Sequence, residues 1–279
     1  MNQQAEQIPE PQDNPVAPAI AKSAGQAGCL IVNADDWGRD QETTRRTFDC
    51  VRRGTVSSVS AMVFMEDSER AAAIACESRI DAGLHLNFTT PFSGIGVPKT
   101  LSENQRRIAS YLLRHRFARV MFHPGLKGCF EYVVQAQLEE FHRLYGHPPG
   151  RLDGHHHMHL CANVLFGRLL PAGTIARRNF SFQPGQKSFC NRFYRRAMDY
   201  ALARHHRLVD LLFSLPPFEP AGRLERIFSL AGEFVVEVET HPVNTDEYQF
   251  LAGGEIFRWT ENFPIAPRFA VNAILGDEA

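Results

Sequence analysis

The chain of 279 residues contains no apolar run approaching the roughly 20 residues that cross a bilayer. A membrane-spanning protein is therefore not expected. Its formal net charge is -1, so bulk electrostatics offers no pull toward nucleic acid or an anionic membrane. Its six cysteines form no CxxC pair, and several sit inside apolar runs. They read as reduced, buried thiols in a cytoplasmic protein. Residues 1–28 are rich in Gln, Pro and Ala and nearly free of large apolar side chains. They lack the apolar core of a signal peptide and read as a disordered leader. A single folded domain is expected over 29–279, and no internal repeat is visible. One residue type is abundant instead. There are 12 His, and four of them fall between His155 and His159.

Strand-like and helix-like segments alternate from Cys29 onward. Strands are expected over Cys29–Ala34, Thr55–Met65, Ile80–Phe88, Arg151–His157, Leu208–Leu212 and Glu233–Glu239. Helices are expected over Asp40–Arg53, with Gly54 as its stop, then Asp67–Ser78, Glu103–Arg116, Phe130–Tyr145 and Gln186–His206. A Gly- and Pro-rich loop spans Pro91–Thr100, and a turn spans Gly146–Gly150. This alternation predicts an α/β fold with a mostly parallel sheet or barrel. Such folds carry their chemistry at the C-terminal ends of strands.

The unusual polar residues collect at that kind of position. Asp35 and Asp36 end the first apolar run, within Asn33-Ala34-Asp35-Asp36-Trp37-Gly38. One reading makes one acid a helix cap and leaves the other solvated. His85 lies between Leu84 and Leu86, Asp153-Gly154-His155-His156-His157-Met158-His159 follows the fourth strand, and Glu239-Thr240-His241-Pro242 closes the last. A lone His85 is more often a hydrogen-bonded core histidine. Four imidazoles within five positions, however, bring no packing benefit. One Asp and two His make a three-ligand site for a divalent ion, with positions left for water and substrate. A leftover carboxylate and a leftover imidazole can then move protons. Strand alternation points Asp35 and Asp36 in different directions without deciding which does what.

These four stretches resemble the YdjC-like carbohydrate deacetylases, in the same order and with matching spacing from Cys29 to about Pro242. The resemblance implies an irregular, TIM-barrel-like (β/α) barrel and removal of an N-acetyl group from an amino sugar or glycoconjugate. It implies Asp36, His85 and His155 as ligands of one divalent ion, zinc or magnesium. Asp35 becomes the general base and His241 the general acid. Two departures stand out. Trp37 replaces the family's usual Phe, and Val243 follows Pro242 where many members have a small residue.

Asp153 and His157 are expected to orient His155, and Trp37 or Phe88 to stack on a sugar ring. The basic, aromatic segment Gly173–Pro220 fits either a cover over the substrate site or an amphipathic surface helix with a solvated basic face. Two other readings remain open at this point. One is a different mononuclear or dinuclear metal-dependent hydrolase, such as a phosphoesterase or amidohydrolase. The other is a non-catalytic carbohydrate-binding relic. No nucleic-acid partner is expected, and a homodimer is allowed.

Overall fold

The computed structural model describes residues 28–115, 117–182, 188–220 and 222–269. Nearly all of the expected leader, residues 1–27, lies outside that range. Among the described residues, seven strands form one sheet: β1 (Cys29–Trp37), β2 (Ser58–Ala61), β3 (Ala82–Leu86), β4 (Arg151–Gly154), β5 (Ile175–Ala176), β6 (Leu211–Ser214) and β7 (Val235–Thr240). The helices are α1 (Gln41–Arg52), α2 (Ser68–Ser78), α3 (Lys99–Leu112), α4 (Lys127–Tyr145), α5 (Ala162–Gly167), α6 (Phe189–Ala203), α7 (Gly222–Ser229), α8 (Thr245–Ala252) and α9 (Ile256–Trp259).

The strand order is β5-β4-β3-β2-β1-β7-β6, and every neighbouring pair is parallel. The sheet curls until its two edges meet irregularly. Ile175 bridges Arg207 in parallel, the amide of Ala176 donates to Arg207 O at 2.9 Å, and that of Ser181 to Leu212 O at 2.8 Å. This is the expected irregular barrel.

Period-two alternation divides each strand between two environments. Leu30, Val32, Ala34, Val59, Ala61, Leu84, Leu86, Leu152, Val236 and Val238 belong to the main apolar core. The intervening residues Asn33, Asp35, Ser58, Ser60, His85, Asp153, Glu237 and Glu239 are polar and buried. A small apolar cluster of Ile31, Ile175, Val209, Val235 and Phe269 closes the end of the barrel away from the site. The interior thus runs from an apolar plug to a charged layer and then to the site.

Several element boundaries differ from the sequence expectation. The strand expected over Thr55–Met65 is confined to β2, and the last two shift to Leu211–Ser214 and Val235–Thr240. The strand expected to reach His157 stops at Gly154. His156 and His157 both take φ 55, a left-handed conformation that breaks a strand and starts the tight turn His155–Leu160. The helix expected over Gln186–His206 is α6, and Gln186 lies outside the described residues. β5, α5, α7, α8 and α9 were not anticipated.

Candidate metal centre and active site

Asp35 and Asp36 are both buried, so neither is a solvated charge. Neither caps α1. Asp40 does, accepting the Thr43 amide at 2.8 Å. Asp36 sits at φ 65, a left-handed conformation that Asp tolerates better than most residues. The register of β1 against β2 shifts between Ala34 and Trp37. The two neighbouring acids therefore reach one place instead of opposite faces, which corrects the expectation from regular alternation. His85 Nε2 lies 3.4 Å from Asp36 Oδ1 and 3.9 Å from Asp35 Oδ2.

Asp36, His85 and His155 form a group able to hold a metal ion. His155 Nδ1 is 2.9 Å from Asp36 Oδ1. Two bonds of about 2.1 Å at a tetrahedral angle span roughly 3.4 Å, close to these separations. Asp36 Oδ1 and His85 Nε2 are buried and have no hydrogen-bond partner. Five buried carboxylates, Asp35, Asp36, Asp153, Glu237 and Glu239, share the interior with the buried Arg151 and Arg177. Orphaned donor atoms inside a surplus of negative charge fit a cation.

The same surplus sets the titration of the group. Burial pushes the His85 imidazole down, but the charges of Asp35 and Asp153 and the hydrogen bond to Asp153 outweigh it and raise the pKa to about 10. Burial pushes the Asp36 carboxyl up, yet the close imidazoles of His155 and His85 hold it well below the usual range. Asp153 behaves alike, its burial outweighed by Arg177 and His85.

Asp153 orients His85, not His155 as expected. Its Oδ1 lies 2.8 Å from His85 Nδ1, which turns Nε2 toward the cluster. Ser60 Oγ donates to the other Asp153 oxygen. His157 does not touch His155 either. Its Nε2 pairs with Glu239 Oε2 at 3.2 Å, and its ring meets Phe180 edge-on. Charge and a hydrogen bond from His157 help hold Glu239 at about 2 against its burial. His156 Nδ1 lies 3.1 Å from Thr89 Oγ1, and burial is the largest cause of its shift down to about 4. His159 Nε2 donates to Arg177 O at 2.8 Å, and burial pushes its pKa down to about 3.

His241 is half-buried at the mouth, its Nε2 4.0 Å from Asp35 Oδ2. Glu247 of α8 fixes its backbone by accepting the His241 amide at 2.8 Å and the Thr240 hydroxyl at 2.7 Å. All five residues singled out in the sequence are thus brought together. Trp37 and Phe88 are not at the mouth. Both are fully buried in the main core, where no sugar ring reaches them.

Arg177 is the residue the sequence hid. It lies just beyond the two-residue β5 and is fully buried under the site. Its two terminal nitrogens donate to both oxygens of Asp35 at 2.7 Å, and its Nε donates to Glu237 at 2.8 Å. It also pairs with Asp153 at 3.0 Å and Glu239 at 3.1 Å. Burial pulls its pKa down, and the charges of Asp153, Asp35 and Glu237 more than reverse this. No solvated basic face describes it. Glu237 and Glu239 had a signal in the alternation Val235-Val236-Glu237-Val238-Glu239, and Arg177 had none.

A family model described as YdjC-like protein matches residues 29–243. A carbohydrate deacetylase of Danio rerio is 29% identical over 167 residues, 58% of this chain and 52% of that protein. A chitooligosaccharide deacetylase of Yersinia pestis (strain Pestoides F) is 28% identical over 138 residues, 48% of this chain and 52% of that protein. The chain spans about half the length of these curated relatives. A solved structure from Enterococcus faecalis V583, described provisionally as a cellobiose-phosphate cleavage protein, superposes with a TM-score of 0.62 at 17% identity. It covers 86% of this chain and 96% of its own, and shares the fold. With the family match running through all four stretches that build the site, the chain belongs to the YdjC-like family.

Proposed function

We propose that residues 29–279 form one metal-dependent carbohydrate deacetylase domain that hydrolyses the acetamido group of an amino sugar or glycoconjugate. The observation that carries this reading is the convergence of Asp36, His85 and His155 beside two further titratable groups, Asp35 and His241. Asp36, His85 and His155 would hold one divalent ion. Two imidazoles and one carboxylate favour zinc or a similar first-row ion over magnesium. When bound, such an ion polarises an amide carbonyl and acidifies water.

Asp35 then takes the proton of the attacking water. Arg177 clamps both Asp35 oxygens, which leaves Oδ2 aimed between His85 and His241. Asn33 Nδ2 adds a third donor at 2.9 Å. His241, reachable from solvent, protonates the departing amine. Asp153 keeps His85 in the orientation the ion requires.

Geometry supports this reading over its rivals. Among the described residues, the other two groupings able to hold an ion, Asp35–His85–Asp153 and Asp35–Glu239–His241, both depend on Asp35, whose negative charge the guanidinium of Arg177 already balances. That favours one ion over the paired ions of many phosphoesterases. A binding relic has no need for Asp35 and His241 beside the cluster. Six cysteines without a disulfide support a cytoplasmic setting. Acetate release from a panel of N-acetylated sugars, with metal-stripped protein reloaded with zinc or magnesium, tests the proposal. Acetate from at least one amino sugar, dependent on added ion, is expected. No acetate from any, or activity indifferent to metal, would refute it.

A further inference from the structure

α6 turns its aromatic side chains away from the protein. Phe189, Phe193 and Tyr200 are 76%, 66% and 69% exposed. At 3.6 residues per turn they fall within an arc of about 40°. Arg192 and Arg196 lie beside that line, Arg204 follows at the helix end, and all three are exposed. The arginine at 204 also sits over the Tyr200 ring, 5.9 Å from its centre. Leu202 is buried on the opposite face, and Asp199, at the edge near Arg192, is buried as well. Asp199 is the single acid of the helix, and Arg178 and Asn179 occupy it from within. The outward face is therefore aromatic and cationic, with no acid on it.

A helix packed on a globular core normally turns its apolar stripe inward. Large rings in a row on the outer side mark a surface that meets something else. On the other side of the helix, Arg195 sits over Phe182, 4.9 Å from the ring centre.

Charge decides the occupant. A second copy docked through the same face would set Arg192, Arg196 and Arg204 near their own symmetry mates, which repel. An anionic bilayer meets both features at once. Phenyl rings enter the boundary between headgroups and acyl chains, and guanidinium groups pair with lipid phosphates. The overall charge of -1 does not oppose this, because screening confines the interaction to about 10 Å of the surface. We propose that the outer face of α6 docks this protein reversibly on an anionic lipid bilayer. This inference is independent of the reaction assigned above.

Co-sedimentation of the full chain with phosphatidylcholine vesicles, with and without phosphatidylglycerol, tests it. Binding is expected only with phosphatidylglycerol and should fall as salt rises. R192A/R196A should weaken it about twenty-five-fold, taking about fivefold per arginine. F189S/F193S should weaken it about tenfold, and both variants should keep the melting temperature of the parent. Absence of binding to the anionic vesicles, or binding unchanged in both variants, would overturn the proposal. So would light scattering that shows a dimer in the parent and a monomer in these variants, since the face would then belong to a second copy.

Discussion

Arg177→Met takes away the guanidinium that touches four of the five carboxylates buried in the interior. The lost contacts are two donations to Asp35 at 2.7 Å, one to Glu237 at 2.8 Å, and pairs with Asp153 at 3.0 Å and Glu239 at 3.1 Å. Water cannot easily replace them at a site this deep. Removing one partner of a buried ion pair costs about 3–5 kcal/mol, because the charge left behind is uncompensated. A domain of this size shifts its melting temperature by about 2–4 °C per kcal/mol, so a fall of roughly 6–20 °C is expected. Arg177→Lys should recover only part of it, since an ammonium cannot span Asp35 and Glu237 together. Adding Glu237→Gln to Arg177→Met should return part of the loss by removing one stranded charge. Calorimetric or circular-dichroism melting of metal-free protein reads all three. A shift below about 1 kcal/mol for Arg177→Met, or a double variant less stable than the single one, would refute the assignment of Arg177 as the central counter-ion.

Other outcomes follow from the same geometry. Asp36→Asn should lose metal, whereas Asp35→Asn should keep metal and lose turnover. Equal metal loss in both, measured by metal analysis after dialysis, would contradict the division of roles. Asp153→Asn should weaken metal affinity about 10–100-fold, because His85 loses the carboxylate that orients it; competition with a chelating dye measures this. Asp40→Ala should cost about 1 kcal/mol through loss of the α1 cap. Burial raises the Asp40 carboxyl, but the Thr43 amide and Arg39 outweigh it and lower the pKa. A lowered folded pKa gives stability that is complete above the unfolded value near 4 and lost as pH falls through the folded one. The parent and Asp40→Ala should therefore differ at pH 7 and converge in acid, as denaturant titrations at several pH values would show.

The site was legible because its chemistry sits where strands end. Asp35, Asp36, His85, His155 and His241 come from four separate strand ends, and the run Cys29–Val32 before the two acids is the most plainly apolar of them. Less visible was anything set by unusual backbone. The left-handed Asp36 brings both acids to one place, and the consecutive left-handed His156 and His157 replace the expected strand with a tight turn. No side-chain pattern announces those angles in an Asp or a His. Arg177 was hidden for another reason. Its strand is two residues long, too short to show alternation, and the surrounding arginines made it look like one more surface charge. In fact that segment divides, with Arg177 under the site and Arg192 and Arg196 facing outward on α6. Trp37 and Phe88 were misplaced because aromatic residues next to catalytic groups serve packing as readily as binding.

Acetate release measured against zinc added per chain, on metal-stripped protein with an N-acetylglucosamine oligomer panel, tests the central claim most directly. Turnover should rise with zinc and level off at one ion per chain. A plateau at two ions, or no acetate at any ratio from protein shown to be folded, would contradict a single-ion deacetylase.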